Sequence, residues 1–320
     1  MACVSERLPR TLFATLAAGA VLSTAIPANA VQPNAAHPSA VRSTAAAANP
    51  CKSAAHPAIA RKLGTRIRKA LSGRTGTESV AVYDRKRGIR CAIASGRRYD
   101  SASVVKATIL GALLRQAADQ HRSLTSVEKS QAHKMITQSD NDAASALWRS
   151  VGRTRMQRFL NRAGMTHTVL GSGGYWGLTQ ITAQDEIALL SRFTKRNALL
   201  PDKSRAYALG LMNKVIPSQR WGTPAGRPSG VTWHVKNGWL PRHDRYWRVH
   251  SIGTFDGHGE DYMIVVLTQD TPSMAYGVST IERVARTVHQ GLNPRMRSMT
   301  GQSIPDGTWE KSDGSVPAGL

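Results

Sequence analysis

The sequence predicts an α+β domain, an antiparallel sheet flanked by helices with an all-helical lobe beside it. Three observations carry that prediction. Two β-rich runs come early, three more come late, and helical patterning fills the interval between them. The order helix, two strands, helical block, three strands, helix lacks the strand–helix alternation of a parallel sheet. A chain of 320 residues can bury one large core or two smaller ones, and a hydrophobic content of 41% excludes wholesale disorder.

Taken in order, Arg7 and Arg10 precede an apolar run over 11–26, and Pro27 precedes the small-x-small triplet Ala28-Asn29-Ala30. That three-part order reads as a secretory signal peptide over 1–30, cleaved after Ala30. Cys3 lies before the apolar run, so it is not in a lipobox position. No uninterrupted apolar span reaches the roughly 20 residues of a membrane helix, so no span is expected. Residues 31–54 are rich in Ala, Pro, Ser and Asn and read as a leader. The domain is expected over 55–292, as a monomer, and 293–320 as a flexible tail. Export leaves Cys51 and Cys91, an even count in an oxidising compartment, and predicts one disulfide between them.

Within the domain, Ile59, Leu63, Ile67 and Leu71 recur every fourth residue and predict a helix over 56–71. Runs at 78–83 and 89–94, joined by Arg-Lys-Arg-Gly, predict a hairpin. Helices are predicted over 104–118, 125–138, 142–151, 153–163, 187–192 and 203–215. Strands follow at 231–235, 249–254 and 262–267, and a last helix at 277–290.

Charge narrows the neighbourhood. The sequence has 43 Lys+Arg against 20 Asp+Glu, a net +23, and removing 1–30 leaves +22. Such an excess suits nucleic acid, an anionic membrane or an anionic cell-wall polymer. With no nucleic-acid-binding motif and an exported chain, the wall polymer is the expected partner and nucleic acid is not. Nucleotide and metal motifs are absent: there is no P-loop, no G-x-G-x-x-G after a strand and no H-E-x-x-H, so no cofactor and no metal are expected. Asp256, His258, Glu260 and Asp261 cluster in FDGHGED, which reads as a solvated turn built on Gly257 and Gly259.

Three short motifs carry chemistry. Ser103-Val104-Val105-Lys106 places a hydroxyl and an amine one helical turn apart, where a desolvated lysine can take the serine proton. Ser126-Val127-Glu128-Lys129 has the same spacing, but there Thr125 and Glu128 form a capping box that explains the residues structurally. Ser139-Asp140-Asn141 stands between two predicted helices, where Asp140 or Asn141 also serves as an N-cap. Lys236-Asn237-Gly238 follows the strand VTWHV.

In this order and topology the motifs resemble S-x-x-K, S-D-N and K-[TS]-G of the penicillin-binding protein and class A β-lactamase superfamily, over most of residues 56–292. The segments SVVKATILGALL, KMITQSDNDAASAL and ITAQDEIALL are similar to its nucleophile helix, its S-D-N segment and the stretch after its omega loop. The resemblance implies Ser103 as the acylated nucleophile, Lys106 as its proton acceptor and Ser139 as the bridge to the leaving nitrogen. It implies Asn141, Lys236, Asn237, Gly238 and Trp239 as substrate-binding residues, with the Ser103 and Trp239 N–H groups as oxyanion hole.

Three departures qualify that reading. Asn237 replaces the family's hydroxyl, the stretch from Lys106 to Ser139 is shorter than in class A enzymes, and no Asp or Glu occurs over 162–184. Class A enzymes use an omega-loop glutamate there to activate the deacylating water. His167 is a candidate stand-in, and Tyr175 and Trp176 are candidate cleft aromatics. The expected function is a secreted serine hydrolase working through acyl-Ser103 on a β-lactam or related acyl-amide or ester, with slow deacylation. Two alternatives stay open: a D,D-peptidase on D-Ala-D-Ala peptidoglycan stems, and a catalytically silent wall-binding module.

Overall fold

The computed structural model describes residues 48–242, 246–295 and 313–316, so the expected signal peptide and most of the leader and tail lie outside the described residues. The elements are β1 (Cys51–Lys52), α1 (Pro57–Leu71), β2 (Thr77–Asp84), β3 (Ile89–Ile93), β4 (Arg98–Asp100), α2 (Val105–Asp119), α3 (Ser126–Thr137) and α4 (Asn141–Val151). They continue with α5 (Arg153–Ala163), β5 (Gln180–Thr182), α6 (Ala183–Thr194), α7 (Asp202–Asn213), β6 (Thr232–Arg242), β7 (Tyr246–Gly257), β8 (Glu260–Thr271) and α8 (Met274–Leu292). Short 3-10 turns stand at Ala102–Val104, Trp176–Leu178 and Pro217–Gln219.

Six strands form one antiparallel sheet in the order β1-β3-β2-β8-β7-β6. Period-2 alternation sends successive side chains to opposite faces. Val80, Val82, Ile264 and Val266 face α1 and α8, beside Leu63, Ile67, Ile281 and Val288. Ala81, Met263, Val265 and Leu267 face the helical lobe, beside Leu110, Leu147, Phe159 and Leu190. The sheet therefore separates two cores, as the α+β expectation requires. At the lobe's centre, α2 is buried without a break from Val105 to Leu114, Lys106 included.

Local chemistry sets several boundaries. Thr125 and Glu128 make both bonds of the capping box that opens α3, so the second S-x-x-K is a helix start. Thr182 caps α6 through the Asp185 N–H, and Ser273 caps α8 through that of Tyr276. On α1 the buried stripe is Ala60, Leu63, Gly64, Ile67 and Ala70, and Ile59 is exposed. An every-fourth-residue row drifts around a helix of 3.6 residues per turn, so its outer members leave the buried face. FDGHGED is the β7–β8 turn, where Glu260 pairs with Lys86 and Arg87 and Asp261 with Arg85.

Two boundaries need correction. The leader ends before Cys51: Cys51 and Lys52 pair with Cys91 and Arg90, so 51–54 belongs with the domain. Cys51 and Cys91 face each other in that register and are joined by a disulfide. The loose-tail expectation fails at Asp313–Val316, where side-chain contacts tie the chain to the body of the domain. Cross-linking positions 40 residues apart restricts the unfolded chain. Replacing both cysteines by serine is expected to lower the unfolding free energy by about 4 kcal/mol, read from urea denaturation of the oxidised parent and the variant. Equal midpoints at equal slope would reject that estimate.

Candidate active site

The three motifs converge in one cleft, where the edge strand β6 meets the start of α2 and the α3–α4 junction. The approach of β6 is close enough to demand glycine at 238. A Cβ there would stand 2.7 Å from the backbone nitrogens of both Ser103 and Val104. The segment leading into Ser103 is also fixed from the sheet. His250 on β7 donates from Nε2 to the Asp100 carbonyl at 2.8 Å and accepts the Thr268 N–H at Nδ1. Burial lowers its pKa to about 4, so it stays neutral with both nitrogens assigned. Ala102, next to Ser103, takes a left-handed φ of 46°, a costly conformation for a residue with a side chain.

Each residue of Ser139-Asp140-Asn141 has a separate task. Ser139 is left-handed at φ 60°, which turns its carbonyl and hydroxyl toward the lysines. Asp140 is the N-cap of α4, accepting the Ala143 N–H at 2.7 Å. Asn141 faces the cleft, where Oδ1 accepts from Lys106 Nζ at 2.6 Å.

Two buried lysines meet at the Ser139 hydroxyl. Lys106 Nζ lies 3.1 Å and Lys236 Nζ 3.0 Å from Ser139 Oγ. Lys106 also donates to the Ser139 carbonyl at 2.5 Å, and Lys236 to the Asn237 carbonyl at 2.7 Å. Burial lowers the Lys106 pKa to about 8, against the opposing pull of Asp313 and Asp140. Burial, reinforced by the Lys106 charge, also puts Lys236 well below the ordinary lysine range. Ser103 Oγ is buried and has no hydrogen-bond partner among the described residues. Ser103 Oγ and Lys106 Nζ are not hydrogen-bonded to each other; Lys106 donates to Ser139 and Asn141 instead.

Asn237 does not take the place expected of it. Its amide donates to the Gln219 and Trp221 carbonyls at 2.9 and 3.1 Å, so both hydrogens hold the loop after α7 and none is left for a substrate carboxylate. The longer amide reaches backbone carbonyls that a threonine or serine hydroxyl would not. Trp239 faces the cleft with its backbone: its carbonyl accepts the Asp313 N–H at 3.2 Å. In an extended strand the N–H and C=O of one residue point the same way, so the Trp239 N–H is directed there too.

The omega-loop counterpart carries an aromatic where an acid was sought. Trp176 is buried, donates from Nε1 to Ser145 Oγ at 3.0 Å, and lays its ring 4.8 Å from Lys106 Nζ. Tyr175 is exposed. His167 is half-exposed and tied to Asp185, Gln184 and Thr166, none of them a cleft residue. Of the first two acids past this stretch, one is tied to other groups and one is buried without a hydrogen-bond partner among the described residues. Asp185 accepts from Thr168 and from the His167 backbone, and Glu186 is wholly buried, which pushes its carboxyl well above the usual range. Asp256, His258, Glu260 and Asp261 form no cluster suited to a metal, and neither does any other group among the described residues.

Three residues of this cleft carry no motif signal: His250, Trp176 as a cover for Lys106, and Asp313, whose Oδ2 accepts the Ser103 N–H at 2.8 Å. His250 sits among ten scattered histidines, and Asp313 lies 210 residues from its partner in a stretch without periodicity.

The six-stranded sheet, the central buried helix with a serine and a lysine at its start, and a second lysine from β6 define the β-lactamase class of fold. The comparisons agree. The chain matches the model of the beta-lactamase enzyme family over residues 129–292, and it belongs to that family. The matched stretch holds Ser139, Asn141 and Lys236 and leaves Ser103 and Lys106 outside. A curated relative, "Putative lipoprotein LppW" of Mycobacterium tuberculosis, is 27% identical over 237 residues, covering 71% of this chain and 75% of its own. The TLA-3 extended-spectrum beta-lactamase superposes with a TM-score of 0.65 at 17% identity, over 72% of this chain and 98% of that one. The protein PBP-A gives 0.65 at 19% identity, over 72% and 96%. At such identities the likeness to solved structures is one of fold.

Proposed function

We propose that this chain is a secreted serine hydrolase that acts through an acyl-Ser103 intermediate on β-lactam or related acyl-amide and ester substrates. One observation carries the reading: the Ser103 N–H already holds an anionic oxygen, while two pKa-lowered lysines converge beside Ser103 on Ser139. In acylation the Ser103 Oγ attacks the carbonyl carbon, and its proton passes to the neutral Lys106 amine. The Ser103 and Trp239 N–H groups receive the oxyanion. As the carbon–nitrogen bond breaks, Ser139 relays a proton to the leaving nitrogen, with Lys236 supplying positive potential for the substrate carboxylate. Gly238 contributes by its lack of a side chain, and Asn237 by holding the 219–221 loop against β6.

Hydrolysis of the acyl-enzyme needs an activated water. The stretch 162–184 supplies no carboxylate, and the Trp176 ring covers Lys106. Both support slow deacylation, and both equally suit a D,D-peptidase of peptidoglycan stems that binds penicillins as slow-leaving substrates. Export rests on the sequence order of 1–30 and on the relative named as a lipoprotein. The surplus of positive charge then favours an anionic wall and carboxylate-bearing substrates.

An intact-mass time course with benzylpenicillin tests this. The parent protein is expected to gain one penicilloyl mass that persists, and Ser103→Ala is expected to gain none. Equal labelling of Ser103→Ala would remove Ser103 as the nucleophile. An adduct that vanishes as fast as it forms, with penicilloic acid released, would overturn slow deacylation.

A further inference from the structure

The described end of the chain lies in the cleft and uses its polar groups as a ligand would. Asp313 accepts the Ser103 N–H at Oδ2 (2.8 Å), donates its own N–H to the Trp239 carbonyl (3.2 Å) and accepts at its carbonyl from Asn141 Nδ2 (2.7 Å). Its second oxygen accepts the Ser315 N–H at 2.8 Å, which turns the segment back on itself. Gly314 makes that turn with a φ of 72°. Ser315 is buried against Gly177, and Val316 is buried beside Ala102 and Leu240, with Leu178 packed on them. Main-chain pairing with an edge strand, an anionic oxygen on a backbone N–H and an apolar anchor are together the contacts of a bound peptide. The carboxylate also opposes the burial of both lysines, favouring their charged forms.

We propose that Asp313–Val316 is a built-in ligand of the cleft, an intramolecular plug that competes with substrate for the Ser103 N–H and the edge of β6. A carboxylate on that N–H has no leaving group, so the segment occupies the site without being turned over. Tethering gives such a ligand an effective concentration on the order of millimolar, enough to hold the cleft with weak individual contacts. Substrate enters when the segment swings out.

The kinetic readout rests on the acyl-Ser103 reading above, so a second readout independent of chemistry accompanies it. In the full chain, Asp313→Ala removes the carboxylate, and Gly177→Ala displaces the segment from outside. A Cβ at 177 would stand 2.6 Å from the Ser315 carbonyl and hydroxyl oxygens. Both variants are expected to label with a fluorescent penicillin at least tenfold faster than the parent. The synthetic peptide KSDGSVPA, residues 311–318, is expected to slow Asp313→Ala in trans, and the same peptide with alanine for aspartate is not. Hydrogen exchange at the Ser103 amide is expected to quicken at least tenfold in both variants.

Where parent and variants all label, equal rates overturn the plug. Loss of labelling in Asp313→Ala alone also overturns it, by making Asp313 part of the machinery. Where none of them labels, the acyl-Ser103 reading fails instead, and exchange decides: faster exchange upholds the plug and unchanged exchange overturns it.

Discussion

Lys106→Met is expected to lower the acylation rate by about 10²- to 10⁴-fold while leaving a folded protein, the usual span for removing a positioned general base. Methionine keeps an unbranched chain in the buried α2 position, and Lys236 still donates to Ser139 Oγ at 3.0 Å. The parent's pH profile gives the same assignment a second test. In the proposed mechanism the neutral amine accepts the Ser103 proton, and its fraction grows as pH rises through a pKa of about 8. Acylation by the free enzyme is therefore expected to climb tenfold per pH unit below that value and to level above it. Burial, Asp313 and Asp140 set the midpoint: burial lowers it, and the two carboxylates raise it. Asp313→Ala removes one anion and shifts the rising limb to lower pH. A Lys106→Met protein that labels at the parent rate, or a parent profile flat from pH 6 to 9, would exclude Lys106 as the base.

Gly238→Ala is expected to cost about 10²- to 10³-fold in acylation, comparable to losing one oxyanion-hole donor. The added methyl would stand 2.7 Å from the Ser103 and Val104 backbone nitrogens, so β6 or the start of α2 must move. Either shift separates the Ser103 N–H from the Trp239 N–H, which in the proposed mechanism converge on one oxygen. The same overpacking lowers stability by about 1–3 kcal/mol, so thermal melting is recorded beside stopped-flow labelling. Parent-like labelling of Gly238→Ala would show that the two elements are not held at the distance described. These two variants probe different requirements of the proposed mechanism: one removes its proton acceptor, the other moves the donors assigned to the developing charge.

Much of the fold was legible because it rests on periodicity. The helix at 153–163 and the hairpin of β2 and β3 follow from apolar spacing and a turn, all local in sequence. The second S-x-x-K was correctly set aside because its capping box is visible in four consecutive residues. The misses share a cause. Strands β4 and β5 have three residues each, too few for an alternating pattern, and they exist because each gives the other a partner. Cys51–Lys52 reads as leader by composition and becomes a strand by pairing with β3.

The motif residues were found by type and order, and their tasks were not. Asn237 has the chemistry to donate to a substrate, yet its neighbours are backbone carbonyls of the 219–221 loop, so its amide is spent there. Nothing in the sequence orders the lysine contacts, since Ser139 and Lys236 are 97 residues apart. The sequence by itself determined the order of the longer helices and strands, the signal-peptide pattern, the disulfide pair and a set of candidate residues for acyl chemistry. Those depend on local pattern and on residue chemistry. Only the tertiary structure decided that two lysines share one hydroxyl, that an indole stands where an acid was sought, and that Asp313 lies on the Ser103 N–H. Each of these is a contact between distant segments, and its energy comes from burial and from geometry that exists only once the sheet and lobe have closed around it.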